Sequence, residues 1–241
     1  MDFRDGDAAR LLGATPHAGD ENAHQLHGFR ERIRARSGAD KVAINTAAIE
    51  RPHLLSEAAK MFGSQCIVSS IEAFRGSDGN YRCWVDYGRE PTKVDAIDWA
   101  QRVVELGVGE ILLTSINNEG MGSGYDLDLI NRVSCRVTIP IIACGGAGRV
   151  GDFSKAIEAG ADAVSAASVF HYHYAKPKPE RKTMQDTRNR LRMGQDIDAG
   201  NIDFLNRGYG GEKAIMVEPA SIAEAKEQMK TDGVRVREVG Q

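Results

Sequence analysis

From residue 38 onward, short apolar runs alternate with amphipathic stretches, as strands joined by crossover helices in a parallel sheet require. Strands are expected at 42–46, 66–71, 110–115, 140–143 and 163–167. Arg51-Pro52 opens a helix whose Leu54, Leu55, Ala58, Ala59, Met61 and Phe62 recur near helical spacing until Gly63 stops it. Helices follow at 95–106, with the stripe Ile97, Ala100, Val103 and Val104, and at 126–133 and 152–159. A last helix at 221–230 begins with Ser221 and Glu224 at capping-box spacing. The alternating run 81–87, after the turn residues 77–80, suits a small hairpin over one end of the sheet.

This rhythm is that of a (β/α) barrel, which closes with eight strands, of which five are legible. The chain's 241 residues, 41% of them apolar, suffice for one such domain. Its formal charge of -3, with no basic run interleaved with aromatics, argues against nucleic acid as a partner and leaves small anionic metabolites open. Cys66, Cys83, Cys135 and Cys144 have no CxxC spacing, so reduced cysteines in a cytoplasmic protein are expected. No apolar run approaches the roughly 18 residues of a membrane span, and the N-terminus lacks the basic-then-apolar order of an export signal.

Gly38-Ala39-Asp40-Lys41-Val42 and Gly160-Ala161-Asp162-Ala163-Val164 each lead into a strand ending in Thr or Ser, a repeat that suggests duplicated half-barrels. The second copy is preceded by a strand and the run Gly145-Gly146-Ala147-Gly148; the first has no such partner. Residues 1–37 carry scattered charges and no apolar run longer than Leu11-Leu12. They are expected to be atypical and poorly ordered, an out-of-frame reading of a region that should encode strands one to three, with natural truncation as the alternative. Residues 38–241 form the partial barrel domain. Within it, 174–212, with Lys176-Pro177-Lys178-Pro179, reads as an insertion with a helix of its own near 183–193.

Cys144-Gly145-Gly146-Ala147-Gly148 after one strand and Ala167-Ser168 after the next are adjacent loops at the C-terminal face. Glycine lets backbone N–H groups approach an anion, and a helix N-terminus adds a favourable dipole, so the pair can hold a phosphate; otherwise the glycines only turn the chain. By the same logic, Asn45-Thr46 can hold a second phosphate. Glu72 ends its strand where a carboxylate serves general acid or base chemistry, the alternative being a solvated or ion-paired glutamate with Arg75 nearby in sequence. Thr114, Asn117 and Glu119 follow another strand and can supply polar groups to the same mouth. Lys41 and Glu110 sit at the opposite strand ends, where charges usually only solubilise. His171 and His173 have no carboxylate or cysteine at ligand spacing, so no metal is expected.

Taken together and in order, GADKVAINTAA (38–48), FGSQCIVSSIEAFR (62–75), GVGEILLTSINNEGMGSGYD (107–126), IPIIACGGAG (139–148) and GADAVSAASVFH (160–171) closely resemble the cyclase subunit of imidazole glycerol phosphate synthase. The resemblance implies a (β/α)8 barrel, incomplete here, that needs no cofactor. It implies a heterodimer with a glutaminase whose ammonia passes through the barrel to close an imidazole ring in histidine biosynthesis. Gly145, Gly146, Ala167 and Ser168 would bind one phosphate of a doubly phosphorylated substrate and Asn45 and Thr46 the other, with Gly120 also among the phosphate-binding residues. Lys41 and Glu110 would form the charged gate where ammonia enters, and Asp40 would lie at the glutaminase interface. Thr114 matches a family active-site position unchanged. Of the family's two catalytic aspartates, the first lies on a strand not recognisable here and the second matches Glu72. The acidic position after strand six is Glu119, the strand-seven serine is Cys144, and Gly122 stands where a lysine is often found. A paralogous branch, which works with a glutaminase and a sugar amidotransferase in surface-polysaccharide synthesis, is the alternative, and a catalytically inactive partial barrel is the third reading.

Overall fold

The apolar runs become strands of one sheet, seen in a computed structural model that describes residues 39–174 and 217–237. The expectations for residues 1–37 and for a helix near 183–193 lie outside the described residues. In chain order the elements are β1 (Val42–Ile44), α1 (Thr46–Glu50), α2 (His53–Phe62), a 3-10 turn (Ser64–Cys66), β2 (Ile67–Arg75), β3 (Tyr81–Val85), β4 (Glu90–Asp95), α3 (Ala96–Glu105), β5 (Glu110–Ser115), α4 (Leu127–Ser134), β6 (Ile141–Cys144), α5 (Gly151–Glu158), β7 (Ala163–Val164), α6 (Ser168–Tyr174) and α7 (Ile222–Thr231).

Strands β1, β2, β5, β6 and β7 pair in parallel in that order, each joined to the next by at least one helix. Among the described residues this sheet does not close, and it is an arc of a (β/α)8 barrel. The nine residues of β2 serve two neighbours along one edge. Its first half pairs with β1, and its second half pairs antiparallel with β3, which continues into β4.

Register stacks the concave face in layers, because residues in line across parallel strands point the same way. Ala43, Val68 and Glu110 form the lower layer, Ser70, Leu112 and Ile142 the middle, and Glu72, Thr114 and Cys144 the upper. The alternate positions Ile44, Ile67, Ile71, Ile111, Leu113 and Ile141 are fully buried on the convex side beneath the helices. There α2 contributes Leu54, Leu55 and Ala58, α3 contributes Trp99, Ala100 and Val103, and α4 contributes Leu129, Ile130 and Val133. Each large side chain so buried is worth about 1.5–3 kcal/mol before entropy is counted. The core is therefore the layer between sheet and helices, and the middle of the concave face stays half-exposed.

Several boundaries move, for local reasons. β1 stops at Ile44 because Asn45 leaves the extended region, with φ -115° and ψ -87°, and Thr46 already starts α1. β7 ends at Val164 instead of 167, although the Ser165 amide still donates to the Ala143 carbonyl at 2.8 Å; Ala167 precedes α6. β2 runs on to Arg75 because the hairpin gives its second half a partner. Strand β4 has no counterpart among the expected strands. Its run Glu-Pro-Thr-Lys-Val-Asp is charged, largely exposed and carries Pro91, a composition suited only to a sheet edge. The run 81–87 supplies one strand, β3, of a hairpin that β4 completes, while the helix opened by Arg51-Pro52 and the Ser221–Glu224 capping box form as expected.

Candidate active site

Glu72, Thr114 and Cys144 are in register near the C-terminal ends of β2, β5 and β6, so three different strands deliver them to the same layer. Glu72 also lies opposite Trp84 of the hairpin. The expected alternative for Glu72, a pair with Arg75, does not form. The Arg75 guanidinium lies 3.5 Å from Asp128 and over the Tyr81 ring. Burial pushes the Cys144 thiol up, and the neighbouring Glu119 carboxylate adds to this, while hydrogen bonds with Thr114, Ser165 and the Gly145 amide offset part of the rise. At neutral pH Cys144 is a small neutral thiol, not a nucleophile. Glu119 is exposed as a residue, yet partial desolvation pushes its carboxyl above the ordinary range. Tyr125 donates from its phenol to the Ser165 carbonyl at 2.9 Å, which ties the β5–α4 loop to the end of β7.

The glycine loop is a junction before it is anything else. Gly145 and Gly146 have φ of 87° and 105°, and a Cβ on Gly146 would lie 2.2 Å from the Gly124 carbonyl oxygen. The Gly124 amide donates to the Gly146 carbonyl at 2.8 Å, and Asn118 Nδ2 donates to the Gly124 carbonyl at 2.9 Å. Asp152, buried at the start of α5, accepts from the amides of Gly148 and Arg149, both at 3.1 Å. Those two donors are thereby committed within the loop. Among the described residues, no acceptor takes the amides of Gly146 and Ala147, which remain the loop's donors for an anion. Ser168 opens α6 from the neighbouring strand, β7.

Asn45 and Thr46 are both tied to the hairpin. Asn45 Nδ2 donates to the Trp84 carbonyl at 3.2 Å, and Thr46 Oγ1 accepts from the Asp86 amide at 3.1 Å. Both side chains thus moor the hairpin to the end of β1. Asn117 leaves the mouth too: its Oδ1 accepts from the Arg75 amide at 2.7 Å and braces the end of β2. Gly120 lies in the β5–α4 loop with φ 72°, as does Gly122 with φ 65°. At the opposite end of the strands, Lys41 and Glu110 form a 2.7 Å salt bridge, with Asp40 exposed beside it. Thr114 lies four residue steps beyond Glu110 on β5, about 13 Å along the strand. His171 and His173 lie on α6, edge-on to Tyr172 and Tyr174.

Two organising carboxylates were not singled out by sequence reasoning. Asp126 accepts from Tyr81 at 2.9 Å, from Ser115 at 3.2 Å and from the Leu129 amide at 3.1 Å, fixing α4 to both the hairpin and β5. Asp152 fixes the glycine loop. Asp126 is a helix N-cap, which its position before an apolar stripe signals; its link to Tyr81 spans 45 residues and carries no local signal.

Chemically, the upper layer offers one carboxylate able to move a proton, a hydroxyl and a thiol to orient a ligand, and a glycine loop with two anion donors beside them. No helix among the described residues is long and apolar enough to cross a membrane. Among the same residues, no group of three or more His, Cys, Asp or Glu side chains can hold a metal ion.

Comparison with known proteins gives this arrangement relatives. The profile of the family described as "Histidine biosynthesis protein" matches residues 30–176. Three similar curated proteins are each called imidazole glycerol phosphate synthase subunit HisF. That of Alkaliphilus metalliredigens is 52% identical over 139 residues, covering 57% of this chain and 55% of its own. That of Streptomyces griseus is 54% identical over 137 residues, with 57% and 55% covered, and that of Pyrobaculum aerophilum 55% identical over 137 residues, with 57% and 54% covered. The chain spans about half the length of the curated relatives it matches.

Proposed function

The chain belongs to the histidine biosynthesis protein family, and from that premise we propose that it acts as the cyclase subunit of an imidazole glycerol phosphate synthase. In this reading it uses ammonia from a glutaminase partner to close the imidazole ring of a doubly phosphorylated substrate. The observation that carries the proposal is the upper concave layer, where Glu72, Thr114 and Cys144 meet in register beside the glycine loop. Glu72 is the group that moves a proton. Glu119, whose carboxyl desolvation shifts upward, is the second acid-base group of this reading. Gly145, Gly146, Ala167 and Ser168 take one phosphate, with Gly120 nearby in the β5–α4 loop. Asn45 and Thr46 meet the other phosphate only if the hairpin they moor yields part of their hydrogen bonding. Asp40, Lys41 and Glu110, at the far end of the strands, face the glutaminase, and ammonia travels the length of the concave face to the upper layer.

Glu72 stands where the family has aspartate, and one further methylene moves the carboxylate by about a bond length. Misplacement on the order of an ångström costs about a hundredfold in rate, so slow turnover is expected. The test is single-turnover conversion of the bisphosphate substrate by the full chain, with free ammonia and then with glutamine plus the glutaminase. Glu72→Gln should lower either rate by roughly a hundredfold, the usual worth of a general acid or base. Full activity in that variant would remove Glu72 from the chemistry, and no conversion by the wild-type chain with ammonia would overturn the cyclase reading.

A further inference from the structure

The hairpin turn above Glu72 holds a tyrosine in a conformation that its own fold does not reward. Asp86, Tyr87 and Gly88 are consecutive left-handed residues, with φ of 49°, 59° and 70°. Asp86 and Tyr87 are the only non-glycine residues with positive φ among the described residues. The turn closes with the Arg89 amide donating to the Val85 and Asp86 carbonyls, at 3.1 and 3.2 Å. Such turns match the right-handed twist of a hairpin and favour Gly, Asn and Asp; a bulky side chain is strained there. Tyr87 does not recover that cost in the core, because it is 47% exposed. Its ring meets the guanidinium of Arg89, whose carbon lies 5.8 Å from the centroid.

Its position is specific. A Cβ built on the adjacent Gly88 would lie 3.4 Å from a Glu72 carboxylate oxygen and 3.3 Å from Ile116. Thr46 anchors the turn through the Asp86 amide, Asn45 anchors it through the Trp84 carbonyl, and Trp84 packs on Phe74 at 5.0 Å. Tyr87 therefore sits between two anchored neighbours, Asp86 bonded to Thr46 and Gly88 beside the Glu72 carboxylate. Strained residues that contribute little to packing gather at ligand sites.

We propose that Tyr87, with Arg89 behind its ring, is a specificity-determining residue at the mouth, where it stacks on the planar nitrogen-containing ring of a phosphorylated ligand. This rests on the phosphate-binding part of the cyclase reading and adds the group that recognises the ring. One face of the tyrosine meets the Arg89 cation, which leaves the other for a heteroaromatic ring.

The test uses the full chain and two probes, an imidazole nucleoside monophosphate and ribose 5-phosphate, which share sugar and phosphate but differ in the ring. Wild-type chain should bind the nucleotide about tenfold more tightly, a typical worth of one base stacked on an aromatic side chain. Tyr87→Gly and Tyr87→Asn should both abolish that difference and leave ribose 5-phosphate affinity unchanged, whereas Tyr87→Phe should keep it. Because Gly and Asn accept the left-handed conformation, the two ring-deleting variants should also unfold at the same or a higher temperature than wild type. Equal affinity of wild type for the two probes, or undiminished nucleotide preference in both ring-deleting variants, overturns the inference and leaves phosphate binding intact. Failure of wild type to bind either probe overturns phosphate binding and the inference together. A lowered unfolding temperature in both variants shows that the tyrosine serves the fold and also refutes it.

Discussion

Replacing Gly146 with alanine separates the two roles the glycine loop can have. The new Cβ would stand 2.2 Å from the Gly124 carbonyl oxygen and 2.8 Å from the Asn118 Cβ, and the backbone there has φ 105°. Neither neighbour yields easily, because Gly124 is tied to Gly146 by its amide and to Asn118 by its carbonyl. Backbone strain of about 1–3 kcal/mol and overpacking of about 1–3 kcal/mol give an expected cost of about 4 kcal/mol, a large share of a domain's stability. Two other glycines isolate the contributions. Gly79 has φ 78° but open space, so alanine there should cost only about 1 kcal/mol of conformational strain. Gly151 has open space and no positive φ at the first position of α5, so alanine there should stabilise by about 0.4–1 kcal/mol. Equilibrium urea unfolding of the three variants, followed by far-ultraviolet circular dichroism, reads the order directly. If Gly146→Ala costs no more than Gly79→Ala, the loop junction is not what the glycine serves. The structure also changes what a bulky residue at 146 can prove. It would unseat the loop itself, so loss of ligand binding in such a variant does not by itself report a phosphate contact.

Reversing the charge at Lys41, by Lys41→Glu, should cost about 1–2 kcal/mol of stability, because the lysine side chain is 50% exposed but the new carboxylate would face Glu110, whose side chain is only 16% exposed. The same change should weaken glutamine-driven turnover with the glutaminase and leave turnover with free ammonia intact; equal loss in both assays would assign the pair to the fold alone. Helix α7 should show a pH signature. Hydrogen bonds from the Ser221 amide and then its hydroxyl hold the Glu224 carboxyl below its ordinary range. A depressed folded value means the stabilisation is present above the ordinary glutamate range and lost as pH falls through the folded value. The protection factors of the α7 amides, which correct exchange for its intrinsic pH dependence, should therefore fall on acidification in the wild type and change little in Glu224→Gln; the same fall in both would assign the effect elsewhere.

Much of the fold was legible because it depends on neighbours in sequence. The runs that became β2, β5 and β6 are apolar since their convex side is buried under helices, and the Ser221–Glu224 box closes within one turn. Gly145 and Gly146 announced a special backbone. The family itself was legible in the order and spacing of five motifs within residues 38–171.

Tertiary structure decided what those residues touch. Lys41 and Glu110 are 69 residues apart, yet β1, β2 and β5 bring them together at one rim. Asn45 and Thr46 read as ligand residues in the sequence, and only the tertiary structure shows that both side chains also bond a hairpin about 40 residues downstream. Glu72 reads as an ion-pair candidate for Arg75; an odd spacing on a strand puts the two on opposite faces, and register sets Glu72 beside Thr114 instead. The charged, proline-bearing β4 became a strand only because β3 was there to pair with it. Composition and periodicity describe how a segment lies against its own neighbours. Register between strands distant in sequence, which no local pattern encodes, selects the partners that make a site.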